Sequence, residues 1–291
     1  MTKKLLAGLL ALLAVATLSA CSNKNKEGEE NLEQFKETEI VYTSVDVKVT
    51  LLDGTEKTAT VDFESIDSDT VTITGYKGPD QLHTLTLPTL VQTGEDAATS
   101  TKKVVSVSDV AFYSVSALTA VVIPEGIETL GEYAFAKCVQ LESITLPSTL
   151  KEMGEGVFMG SGLKTLPLPE ACALTEIADR AFAECEALTE VTVPAYIKTV
   201  GESAFFACTG ITKVVISEGV TTLKNQAFQN TTALASLTLP ASFENTDPRE
   251  DLVFSGSDVL YIENITFPAD SKAADYVAKM PLSESPVVEA E

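Results

Sequence analysis

The chain holds a single histidine, His83, and only 20 lysines and arginines against 42 aspartates and glutamates in its 291 residues. One histidine means that a histidine-based nucleophilic triad or a multi-histidine metal site would have to be built around that residue alone. Within Leu82-His83-Thr84-Leu85 it reads instead as an exposed strand residue. The formal net charge of −22 repels phosphate backbones and anionic lipid surfaces, which argues against nucleic acid as a ligand. No phosphate-cradling glycine loop is present, because Gly154-Glu155-Gly156 and Gly160-Ser161-Gly162 have the wrong spacing. Asp67-Ser68-Asp69 offers carboxylates but not the dense oxygen-ligand loop of a calcium site. The expectation is a protein without catalytic residues, metal or cofactor.

No apolar run is long enough to span a membrane. Leu5 to Leu18, preceded by Lys3 and Lys4, suits the core of a secretory signal. It ends at Leu18-Ser19-Ala20-Cys21, which resembles the bacterial lipoprotein cleavage box. That resemblance implies a signal peptide over residues 1–20 and Cys21 as the lipidated first residue of an exported, lipid-anchored protein. The alternative is an ordinary signal cut near Ala20. Acyl chains at Cys21 would hold the chain to a membrane at ~0.8 kcal/mol per buried methylene. Residues 21–39 are polar and charge-rich, cannot bury enough surface to offset ordering, and read as a flexible acidic linker. Residues 40–75 alternate apolar and polar positions around Asp53-Gly54, the pattern of a short β-rich segment.

The rest is periodic. Phe112, Phe135, Phe158, Phe182, Phe205 and Phe228 recur every 23 or 24 residues, each preceded by a small residue such as Ala111 or Val157. Each is followed by a frame of the form Leu-x-x-Ile-x-Leu-Pro, as in Leu141, Ile144, Leu146 and Pro147. A period in the twenties implies a solenoid, because one unit cannot bury its apolar face alone. The frame also occurs at Leu82–Pro88 and, after Phe254, at Ile262–Pro268, which read as degenerate end coils. The solenoid is therefore placed at residues 76–268. Ala273, Tyr276, Val277 and Met280 at helical spacing, with Asp270 or Ser271 as N-cap and Pro281 as stop, predict a capping helix within residues 269–291, followed by an acidic tail.

The run Leu130-Gly131-Glu132-Tyr133-Ala134-Phe135-Ala136-Lys137-Cys138-Val139-Gln140-Leu141 resembles, position by position, the repeat of the BspA-like leucine-rich-repeat proteins of bacterial surfaces. The resemblance implies a leucine-rich-repeat solenoid with one short parallel strand per coil of about 23 residues, exposed at a cell surface, some relatives acting in adhesion. Fold alone does not name a ligand.

Physical chemistry gives each repeat position a task. The six phenylalanines should form an internal column. Gly131, Gly154 and Gly201 should permit corner conformations that side chains forbid. Pro167 sits where a strand amide should donate, in a region carrying two extra residues before the next repeat, so a local bulge is expected. Cys138, Cys185 and Cys208 share a slot also filled by Val115, Ser161 and Thr231, which points to free buried thiols rather than disulfides. The outward strand positions are the candidate binding face: Ser143, Thr145, Thr165, Glu190, Thr192, Lys213, Val215, Ser236 and Thr238. That surface is small, hydroxyl-rich and nearly uncharged, suited to docking an extracellular protein or glycan; equally, such residues simply make good exposed strands. No aromatic side chain lies on it, which disfavours stacking on sugars. Two functions of different class remain, a lipid-anchored protein binding a macromolecular partner or a lipoprotein capturing a glycan or peptide for uptake, beside the plainer alternative of a structural spacer with no ligand.

Overall fold

The computed structural model describes residues 43–93, 100–245, 252–257 and 260–280. The signal segment, Cys21, the linker and the acidic tail with Pro281 lie outside the described residues. Among the described residues, no helix is long and apolar enough to cross a membrane.

The repeats coil into a solenoid. Its N-terminal part is β1 (Thr43–Leu51), β2 (Glu56–Ser65), β3 (Thr70–Lys77), β4 (His83–Thr86), β5 (Leu90–Thr93) and β6 (Ser100–Val107). The frame residues then build one parallel ladder: β4, β7 (Leu118–Val122) and β9 (Ser143–Thr145), continued later by β12 (Glu190–Val193), β14 (Lys213–Ile216), β16 (Ser236–Thr238) and β17 (Ile265–Thr266). Alternation decides the facing: β12 is exposed, buried, exposed, buried along its length, because side chains alternate between the two sides of a strand. A second ladder of two-residue strands, not foreseen from the sequence, runs along another side of each coil: β8 (Thr129–Leu130), β10 (Glu152–Met153), β11 (Glu176–Ile177), β13 (Thr199–Val200) and β15 (Thr222–Leu223). Each buries one apolar side chain and directs its neighbour outward.

A third column lies at the phenylalanine corner. All six rings are wholly buried and stacked on their neighbours with centroids 4.8 to 5.8 Å apart. Tyr76 extends the column at one end and Phe254 at the other, 5.3 and 5.6 Å from their neighbours. The backbone follows the rings: Phe135 N donates to Val157 O, Phe158 N to Ala181 O and Phe182 N to Ala204 O, each at 2.8 Å. Residues on either side of each ring adopt left-handed backbone. Val110 and Ser114 flank Phe112, Tyr133 and Lys137 flank Phe135, and Gly156 and Gly160 flank Phe158, with φ between 53° and 65°. Most of these residues are not glycine. The corner glycines serve a different purpose from the one expected: Gly131, Gly154 and Gly201 are needed for closeness. A Cβ on Gly154 would sit 2.4 Å from Glu132 N, and one on Gly201 would sit 2.6 Å from Ala178 C, so the preceding coil leaves no room.

Both ends are covered. β1, β2 and β3 form an antiparallel meander that joins β4 through β1 and β6 through β3, so it bridges the two ladders across the first coil. Val49, Val61, Phe63, Val71 and Ile73 bury themselves against the array. At the far end, α1 (Lys272–Val277) is N-capped by Ser271, whose side chain accepts from Ala274 N, and Tyr276 meets Phe243 edge-on at 5.0 Å. Asn245 closes the edge of β15, its Oδ1 accepting from Leu223 N and its Nδ2 donating to Leu223 O.

Two further expectations need correction. His83 is wholly buried, not exposed. The register between β4 and β7 shifts after His83, so His83 takes the inward place opposite Leu118 while Leu82 turns outward. Its Nδ1 faces Gln81 O at 2.7 Å, a carbonyl that can only accept, so Nδ1 carries the proton and Nε2 accepts from the Tyr76 hydroxyl. At Pro167 the structure shows more than a bulge. Residues 163–169 contribute no strand, and no hydrogen bond joins β10 to β11, so both ladders stop there and restart. Pro167 and Pro169 remove two amides, and two extra residues before Ile177 spoil the register of the second ladder.

Candidate functional site

The candidate face is set by the frame. With Ile144, Val191, Val214 and Leu237 anchored in the core, their neighbours point outward. Ser143, Thr145, Thr165, Glu190, Thr192 and Lys213 are exposed, and Val215, Ser236 and Thr238 are half-buried. Parallel pairing sets them in rows: Glu190 beside Lys213 beside Ser236, and Thr192 beside Val215 beside Thr238 beside Thr266. The one acid and one base of these rows are direct neighbours in register, so the surface carries little net charge on a strongly acidic chain. Thr165 stands apart from both rows, on the strandless coil.

At the C-terminal end the face dips into an open groove of about 590 Å³, lined by Val215, Thr238, Thr266, Phe267, Pro268, Pro240 and neighbours. Phe267 fills the frame position that Leu146, Val193, Ile216 and Leu239 bury in other coils. It is only half-buried, because among the described residues β17 is the last strand and no further coil covers it. The groove thus has an aromatic wall that the list of outward positions lacked. Only its place in the last coil distinguishes it in the sequence.

The repeat cysteines are free and buried. Cys138 Sγ donates to Phe112 O at 3.1 Å, Cys185 Sγ to Phe158 O at 3.1 Å and Cys208 Sγ to Phe182 O at 3.0 Å. In four coils the slot thus holds a small donor that reaches a corner carbonyl, Thr231 doing so for Phe228 O in its own coil, while Val115 fills the same place without a donor. Burial pushes the Cys138 and Cys185 thiols up to about 11 and the Cys208 thiol well above its ordinary value, so none is a nucleophile near neutrality. Asp67 is taken up by the β2–β3 turn, where its Oδ1 accepts from Asp69 N and Thr70 N, and these bonds hold its carboxyl below the usual carboxylate range. Among the described residues, no cluster of three metal-ligating side chains occurs.

The profile described as BspA type Leucine rich repeat region matches six copies across residues 105–234 and 157–277. A leucine-rich cell surface protein from Faecalibacterium prausnitzii A2-165 is 30% identical, with 72% of this chain aligned to 53% of that one and a TM-score of 0.59. This chain thus spans about half the length of that relative. The leucine-rich repeat protein of T. pallidum is 26% identical over 69% of this chain and 76% of its own, with a TM-score of 0.45. No curated protein matches. With its six corner phenylalanines, frame leucines and slot cysteines all placed as the repeat demands, the chain belongs to the BspA-type leucine-rich-repeat family.

Proposed function

We propose that this is a bacterial cell-surface protein, held to a membrane by lipid at Cys21, that binds an extracellular macromolecule through its exposed strand face. The observation that carries the reading is the pair of small, largely polar, charge-balanced rows that run from Glu190 to Ser236 and from Thr192 to Thr266 on a chain of net charge −22, with Ser143 and Thr145 facing outward on β9 beyond the strandless coil. Shape and uniform polarity, rather than a converging set of reactive groups, make such a surface a docking platform and not a catalytic centre. The similar protein from Faecalibacterium prausnitzii is described as a cell surface protein. The basic, apolar and small-residue order of Lys3 to Cys21 supports the lipid anchor.

A second reading draws on the groove lined by half-buried Phe267, whose aromatic wall suits a glycan or a peptide side chain and would fit a lipoprotein capturing nutrients. The test is a binding screen against immobilised matrix proteins and an oligosaccharide array, with Thr145→Asp and Thr192→Asp in parallel. Saturable binding lost in both variants supports the face, and unchanged binding refutes it. Incorporation of labelled palmitate that disappears in Cys21→Ala checks the anchor.

A further inference from the structure

We propose that the interruption between β10 and β11 is a docking cleft for an extended, basic polypeptide segment, which adds to the open strand edges by main-chain hydrogen bonds. This lies on a different side of the coil from the strand face and does not depend on it.

In an intact rung, Lys198 N donates to Thr175 O at 2.7 Å and Gly201 N to Ile177 O at 2.8 Å. One rung earlier, the corresponding amides of Thr175 and Ala178 make no bond to the carbonyls of Lys151 and Met153. The coils are still joined at the corner, where Gly156 N donates to Asp179 O at 2.9 Å, so the opening is a wedge closed at one end. It measures about 600 Å³ and has buried Met153 and Leu174 in its lining. Unpaired strand edges invite another strand. At the other limit of this ladder, Asn245 occupies the edge of β15, whereas nothing from the described residues occupies this one.

Charge selects the occupant. Glu152, Glu155, Glu176 and Asp179 line the wedge against a single lysine, Lys151, which is itself paired with Glu128 at 2.7 Å. Arg180 engages Glu155, and Lys224 reaches Glu176 and Asp179, yet no cation among the described residues pairs with Glu152. An extended segment alternates its side chains, setting apolar groups toward Met153 and Leu174 and cations toward the carboxylates. A helix cannot serve, because its own backbone groups are already paired.

The probe is a short blocked peptide alternating valine and lysine, titrated into the folded protein by calorimetry and by amide hydrogen exchange. Saturable binding with slowed exchange at Thr175 and Ala178 is expected. N-methylation of alternate peptide amides, replacement of its lysines by glutamates, and Thr175→Pro should each weaken binding at least about tenfold, or ~1.4 kcal/mol. Thr145→Asp, on the strand face, should leave it unchanged. The proposal is overturned if the valine–lysine peptide does not bind, if the N-methylated peptide binds equally well by charge alone, or if Thr145→Asp abolishes binding.

Discussion

The coils on either side of Phe205 and those on either side of the Phe158–Phe182 step are written in the same repeat, but they are joined differently. Between the Phe182 and Phe205 coils three columns act together: β12 pairs with β14, β11 pairs with β13, and at the corner the amides bond while the rings stack at 5.3 Å. From Phe158 to Phe182 both strand ladders are missing, while the rings stay stacked at the same 5.3 Å and the corner bonds hold at 2.8 Å. The aromatic corner is therefore the continuous spine of the solenoid. The sheets attach to it and can lapse for one coil without dividing the core.

This comparison can be broken most forcefully at the spine. Phe182→Ala should cost about 3–5 kcal/mol, as removal of a buried aromatic does. Because stability in a repeat array is a sum of neighbour couplings, it should also let the β1–β10 and β11–β17 parts unfold separately. Phe205→Ala should cost as much in a single transition. With no tryptophan in the chain, hydrogen exchange is the suitable readout, and identical exchange profiles for the two variants would contradict the idea. Gly201→Ala places a methyl against the backbone of Ala178 and should cost about 1–3 kcal/mol by overpacking, whereas Gly126→Ala meets open space and bears only the left-handed penalty of ~1 kcal/mol. Equal melting shifts would remove the distinction between closeness and conformation.

The slot thiols give a pH test of the same corner. A folded thiol held to about 11, against an ordinary 9.0, stays protonated where the unfolded one ionises. Its contribution is complete below pH 9 and is lost as pH rises toward 11. The fall in melting temperature over that window should be shallower when Cys138, Cys185 and Cys208 are all serine, and equal slopes would count against it. The smallest effect is expected at Val110, a β-branched residue at φ 53° with its side chain in solvent. Val110→Gly should stabilise by up to ~1 kcal/mol, seen as a raised denaturation midpoint.

The strand frame and the phenylalanine column were legible because burial imposes the same residue type at the same place in every coil. The second ladder was not, since strands as short as Thr129–Leu130 leave no alternation to detect. Left-handed positions escaped for the opposite reason: Val110, Tyr133, Arg180, Ser203 and Gln226 share a conformation but no chemistry, because the ring between them and the next coil's carbonyl dictate it. His83 escaped because one extra residue of β7 at the His83/Thr84 step exchanges the facings of Leu82 and His83 alone, a local shift that the pattern of β4 itself does not announce. For the candidate face, the outward positions followed from the frame. The groove did not, because it exists only where the array stops and Phe267 lacks a cover.

A solenoid is a head-to-tail contact repeated within one molecule, so its two faces of growth are complementary by construction. Left bare, the first and last turns of separate molecules would fit one another and grow into a fibre. The three-stranded meander on one side, and Asn245 with the short helix on the other, replace those matching surfaces with ones that fit nothing in the array.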